Sequence, residues 1–427
     1  MSAVAPIASG PRLLPVLARP ECVLTILIGA TELVPGGPLY AALLCVTLLY
    51  VLTSNFKSTT KACIRPLWPL LLLFPVGAIF AMQNNMYEQG KDVWYLSKII
   101  LYFYLAFVFG SRMRNINTFL SLYVLLGVAL AMVFFAGLAE AMLSSGFQST
   151  IDASYQFQDV KIPATLLSVP ILFKYRNRLS ITRHRGAASA IAFILIAHIV
   201  LTFSRTVIIS TLIGFLALYG AFNNRKLVMR SLFGIGAFTT IAVIILVPMV
   251  NYSGSVGLIA KKFLHSLSEI SFTNSPKDII NNWRGFEAFM AFQGFLNASL
   301  PQKILGRGFG AAVDLGIFVE VAKNMTFRYA PILHNGYFYI LTKYGILGVG
   351  LYLTFCVSVI RRKLGNVRIV DKDLSNLMIG IGIVILFTTL VITGLFNKNC
   401  LDGTVMLMGG ICGYSWAMEK RALAAPQ

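Results

Sequence analysis

An all-α polytopic membrane protein is the fold class this sequence predicts, on three observations. Of 427 residues, 57% are hydrophobic and only 12% charged, about half the charged share of an average soluble domain. The mean hydropathy is +0.76. The apolar residues also fall in repeated runs of about 17–25, each long enough to cross a bilayer. A soluble single-domain enzyme, a disordered chain and a secreted disulfide scaffold are excluded.

The runs give about twelve spans. They lie at 22–36, 39–54, 67–83, 93–110, 117–141, 162–174, 187–204, 206–222, 231–250, 336–360, 375–394 and 401–417. The first two also fit one re-entrant hairpin, and the sixth is short. Arg12 and Arg19 precede a first run that lacks a small-residue cleavage site, so it is read as a retained span. Spans one to nine occupy 1–250, an outer loop 251–335, and spans ten to twelve 336–427.

The net charge of +20 sits in short clusters between runs, as the positive-inside rule requires, and does not point to nucleic acid. One set of alternate loops holds Lys57, Lys61 and Arg65; Arg112 and Arg114; Lys174 to Arg185; Arg225 to Arg230; Arg361 to Lys363; and Lys420 and Arg421. This set is expected in the cytoplasm, with both termini. The other set holds Glu88, Asp92, Asp152, Asp159 and the long loop, and faces out. The cysteines (Cys22, Cys45, Cys63, Cys356, Cys400, Cys412) lie in or beside apolar runs without metal-site spacing and read as packing residues.

Loops this long usually carry function or disorder. Within it, 279–296 has apolar residues at helical spacing, which predicts an amphipathic helix at the outer surface, its aromatic stripe used for packing or membrane contact. The run from Gly306 to Gly310, which includes Arg307, reads as a turn whose backbone amides can approach an anion, with Lys303 just before it.

Ionisable groups at membrane depth are costly and call for a functional reading. Arg205 sits in an apolar turn between spans seven and eight, where a guanidinium fork suits phosphate or carboxylate; interfacial snorkelling or a buried acidic partner is the competing reading. Arg284 lies in the loop helix, with an i,i+3 pairing to Glu287 as its plainer explanation. His334 opens span ten and can act as a base. Asn335 either orients it or caps the helix. Gly345, Gly348 and Gly350 would keep that helix slim for close packing. Lys98 and Glu140 read as snorkelling residues, Lys343 as paired inside the bundle or lining a cavity, and His198 as a packing residue. Asp371 and Asp373 form a D-x-D on the cytoplasmic side, and no carboxylate cluster marks the outer face as a metal site.

Four features in this order resemble the O-antigen ligase and Wzy-type polymerase family of bacterial envelope glycosyltransferases. They are Ser204-Arg205-Thr206 before a span, Trp283-Arg284 in the long outer loop, the turn from Leu305 to Gly310, and His334-Asn335 followed by Gly345 and Gly348. The resemblance implies a GT-C-like fold in the bacterial inner membrane with a periplasmic active site. The donor it implies is a glycan on undecaprenyl diphosphate, with no further cofactor and no metal. Chain-length regulator or export proteins are partners of the kind it suggests, beside the bilayer. His334, Arg205 and Arg284 would be catalytic, and Asn335, Arg307 and Lys303 would bind substrate. A polymerase, adding glycan to another lipid-linked repeat unit, is the expected activity, with ligation to lipid A core as the alternative. A lipid-linked glycan transporter is the non-enzyme alternative. Against it, the polar candidates gather at one face rather than near midplane on broken helices.

Overall fold

The computed structural model describes residues 57–144, 163–182, 185–202, 204–223, 283–322, 325–361, 372–396 and 401–424, with positions 45 and 49. The expected spans at 22–36 and 231–250, most of 39–54, and loop residues 251–282 lie outside them. So do Asp152, Asp159 and Asp371.

The described chain is mostly helical. In order, the helices are α1 (Lys57–Leu71), α2 (Leu73–Ala78), α3 (Met86–Arg112), α4 (Ile116–Ser144), α5 (Pro163–Tyr175), α6 (Arg185–Leu201), α7 (Arg205–Leu218), α8 (Trp283–Leu296), α9 (Leu300–Leu305), α10 (Gly336–Arg361), α11 (Lys372–Val391) and α12 (Asp402–Ala424). Among the described residues, Lys61–Ala78, Met86–Arg112, Ile116–Leu143, Gly336–Ile360 and Lys372–Val391 are long and apolar enough to cross a membrane. Shorter apolar helices cover Leu166–Tyr175, Gly186–Leu201 and Arg205–Leu218. This is a multi-pass membrane protein.

Local chemistry sets several helix ends. Asn85 caps α3 by accepting from Tyr87 N at 2.9 Å and Glu88 N at 3.3 Å, and α3 carries Glu88 in its first turn and Arg112 in its last, both matched to the helix dipole. Pro66 and Pro69 lie inside α1, where each removes a backbone donor.

Side-chain contacts fix how the helices run. Ser180 N donates to Ser121 Oγ at 3.1 Å, while Ser168 Oγ donates to Tyr123 O at 3.5 Å, so α4 and α5 are antiparallel. A Cβ on Gly220 would sit 3.4 Å from Asn376, and one on Gly380 would sit 2.7 Å from Ala217, so α7 and α11 are antiparallel too. Helices α3 and α12 run parallel, from the Lys98–Asp402 pair at 2.9 Å to Arg421 Nη1, which donates to Met113 O at 3.5 Å. Between these points a Cβ on Gly413 would lie 1.9 Å from Phe107 O, a contact only glycine permits.

These directions sort the bundle into two ends. Arg112, Arg114, Arg176, Arg178 and Arg421 share one. There Asp373, at the start of α11, pairs with Lys174 at 3.1 Å and Arg178 at 4.0 Å. Among the described residues, the basic groups at and after the ends of α3, α5 and α12 thus meet at one end, as the charge pattern requires. At the other end, the start of α10 meets the end of α11: Thr393 Oγ1 donates to Leu333 O at 2.5 Å. Antiparallel packing on α11 carries Arg205, the first residue of α7, to that same end.

The outer loop holds more than the sequence reading expected. The amphipathic helix is present as α8. After α9 the chain forms an antiparallel hairpin, β1 (Val313–Ala322) and β2 (Met325–Ala330), with Val313 opposite Ala330 and Asp314 opposite Tyr329. An all-α reading omits it. Trp283 packs edge-on against Phe327 of β2, with ring centroids 6.1 Å apart, tying α8 to the hairpin.

Candidate functional site

The site is assembled where α8 meets the start of α10. Asn335 Oδ1 accepts from Tyr337 N at 3.0 Å and Phe338 N at 3.3 Å, so Asn335 caps α10. That settles which of its two expected roles is seen, and it fixes His334 one residue before the cap. The His334 side chain is 47% exposed, and its Nδ1 lies 2.7 Å from Glu287 Oε2, on a side chain only 4% exposed. The same Oε2 accepts from His334 N at 3.1 Å. One buried carboxylate oxygen therefore holds both the ring and the backbone of His334.

Arg284 is in the first turn of α8 and exposed. It stands one turn before Glu287, so both project from neighbouring positions on one face. The structure thus brings Arg284 and His334 to one neighbourhood through Glu287. Arg205 heads α7 at the same end of the bundle and is half-buried. Ser204, at the cap position of α7, makes no side-chain capping bond.

Arg307 and Lys303 are placed differently. Arg307 Nη2 donates to Gly294 O at 2.5 Å, so its guanidinium grips the far end of α8, about 15 Å along the helix from Arg284. Lys303 lies in the last turn of α9, half-buried.

The glycine turn does meet an anion, but an internal one. Gly310 N donates to Asp92 Oδ2 at 2.6 Å. Asp92 is fully buried; its Oδ1 accepts from Tyr339 OH at 2.6 Å, and Lys343 Nζ donates to its Oδ2. Lys343 therefore pairs inside the bundle. The other amides of the turn are also used: Arg307 N donates to Thr342 O at 2.8 Å, Gly308 N to Lys343 O at 3.0 Å and Phe309 N to Gly77 O at 2.7 Å. A straight helix would spend the Thr342 and Lys343 carbonyls on its own next turn. Here α10 is broken at Gly345, with φ 64° and ψ −164°, a conformation essentially confined to glycine.

The turn is thus a plug seated in a helix break. This corrects the reading of the α10 glycines as slimming residues. Gly345 makes the break, and a Cβ there would fall 2.3 Å from Ile304 O; Gly350 has open space around it. Lys98 is corrected too: it is buried against Asp402 rather than snorkelling. His198 is buried against Phe134, ring centroids 4.7 Å apart, as a packing residue should be.

Sequence reading missed Glu287 as a site residue, having considered it only as a helical partner for Arg284. The one available signal was an acidic residue on a helix otherwise rich in aromatic side chains. Outside the membrane, Arg328 Nε and Nη2 grip Asp314 at 2.7 and 2.8 Å. The Arg328 hydrogen bonds hold the Asp314 carboxyl down at about 2, helped by the Gly316 amide.

These features describe a polytopic membrane protein in which Glu287 holds His334 at the end opposite its described basic groups, with Arg284 one helical turn before Glu287. Residues 190–353 match the family model described as O-antigen ligase. That stretch, which is similar to the O-antigen ligase family, holds Arg205, Arg284, Glu287 and His334. It supports glycan-handling function of the ligase or polymerase type, in a family of glycosyltransferase-like enzymes. No curated protein matches the chain.

Proposed function

We propose that the protein is a polysaccharide polymerase of the bacterial inner membrane. It transfers an undecaprenyl-diphosphate-linked glycan to a hydroxyl of another lipid-linked repeat unit at the periplasmic face. The observation that carries this reading is the exposed His334 ring held by buried Glu287, one helical turn from Arg284, within the family-matched stretch.

In the reaction, the acceptor oxygen attacks the anomeric carbon, and the bond from that carbon to the diphosphate oxygen breaks. His334 takes the hydroxyl proton, a contribution typically worth about 10²–10⁴ in rate. The diphosphate leaves with the bonding electrons, and Arg284 and Arg205 stabilise its growing charge. With arginines in that role the reaction needs no divalent ion. Arg307, within the plug, supports the site by holding α8, and Lys303, in the last turn of α9 just before the plug, is its substrate-binding neighbour. Ligation to lipid A core is the second reading, favoured by the description of the family itself.

A deletion strain separates the two activities. Loss of a polymerase leaves single repeats on the lipid carrier, whereas loss of a ligase leaves long polymer there. Complementation with His334→Ala or Arg205→Lys should fail although both proteins reach the membrane, because a lysine cannot supply the two-pronged contact of a guanidinium. An unchanged glycan profile on deletion, or normal polymer from both variants, would refute the reading.

A further inference from the structure

The contact between Glu287 and His334 does more than tie two helices together. Imidazole has two nitrogens, and only the one without a proton can accept one. A carboxylate next to Nδ1 can only accept from it, since an ionised carboxylate has no donor. The proton is therefore kept on Nδ1, and the lone pair is left on Nε2, at the other edge of a ring whose side chain is 47% exposed. The second bond, from His334 N to the same oxygen at 3.1 Å, fixes the backbone that carries the ring. Both bonds converge on one oxygen of a side chain 4% exposed, so water does not compete for it.

We infer that Glu287 is the positioning residue for His334: it selects the Nδ1–H tautomer and aims Nε2 at the acceptor hydroxyl. This rests on His334 being the base of the proposed transfer. The proton leaves the hydroxyl for Nε2, and the resulting imidazolium, charged next to the Glu287 carboxylate, returns the proton to water after the diphosphate departs. Glu287 itself neither gains nor loses a proton.

A merely structural role makes a different prediction, because Arg284 rides on the same helix. If Glu287 only held α8 in place, its loss would displace Arg284 from the diphosphate and would raise donor KM as well as lower turnover. If it orients the ring, its loss lowers turnover and spares donor binding. Glu287→Gln is nearly isosteric, yet its amide can donate to Nδ1 and so place the proton on Nε2, the wrong nitrogen. Purified variants in detergent, supplied with lipid-linked repeat unit, give kcat and donor KM separately. Glu287→Gln is expected to lower kcat by about 10- to 100-fold with KM within about twofold and an unchanged sizing profile. Glu287→Asp, which keeps the carboxylate, should retain more activity than Glu287→Gln. A donor KM raised along with or instead of a fall in kcat, a wild-type rate in Glu287→Gln, or loss of both variants from the membrane would overturn the inference. A wild-type rate in His334→Ala would instead overturn the reading of His334 as base, so the two failures are distinguishable.

Discussion

Replacing Asp92 by asparagine tests the plug directly. Asp92 is 0% exposed and Lys343 is 1% exposed. The ammonium also lies over the Tyr339 ring, 4.7 Å from its centre. Asparagine keeps the shape but loses the charge, leaving Lys343 buried without its counter-ion. Breaking a buried pair in this way costs about 3–5 kcal/mol, a large share of the roughly 5–15 kcal/mol that holds a typical fold together. Adding Lys343→Met should recover a large part of the loss, because the stranded charge is then gone. Recovery stays incomplete: the single amide oxygen of the new side chain can satisfy Gly310 N or Tyr339 OH, and one orphaned donor costs about 1–3 kcal/mol. The assay is the temperature at which protein in detergent loses its monodisperse sizing peak. The single variant should fall well below the parent and the double variant should lie between them. A double variant no more stable than the single one would refute the ion-pair argument.

Two further outcomes follow from the same geometry. Gly345→Ala should destabilise the protein and sharply reduce glycan transfer, since it combines a φ of 64° with a Cβ placed 2.3 Å from Ile304 O; Gly350→Ala, in open space on the same helix, should raise the melting temperature slightly, as removing glycine from a helix gains about 0.5–1 kcal/mol. In the hairpin, the folded carboxyl of Asp314 titrates at about 2 against an ordinary value of 3.8. Its contribution is therefore fully present above the unfolded value and is lost as pH falls through the folded one. Amide-exchange protection of β1 and β2, corrected for intrinsic rate, should hold above pH 4 and decline towards pH 2, and Arg328→Ala should weaken that dependence, leaving only the part due to the Gly316 amide.

The membrane class, the helix positions within the described residues and the two-ended sorting of their charge were legible in the sequence because each rests on local quantities. An apolar run is helical in lipid whatever its neighbours, since its backbone must bond to itself. Alternation of Arg and Lys clusters records which loops share a side, and Lys174 and Arg178 meeting Asp373 at the same end as Arg421 follows that record. Arg205, Arg284 and His334 stood out singly, as polar residues in apolar surroundings. The loop helix at α8 was visible from its periodicity.

Tertiary structure decided what those residues touch. Glu287 and His334 are 47 positions apart, and Asp92 and Lys343 are 251 apart; no spacing rule joins them. The hairpin was hidden because strands of ten and six residues, inside a mixed loop, leave little alternation to read. Gly345 looked like a small residue for helix packing, since its sequence neighbours are helical. Its positive φ exists because the turn at 306–310 arrives from another part of the chain to occupy the break. Arg307 had the charge to bind a substrate, but the fold set it against the Gly294 carbonyl. Sequence determined which groups are too costly to leave alone in a membrane, because burial cost belongs to the residue. Only the fold decided which partner relieves that cost, because a partner belongs to the path of the whole chain.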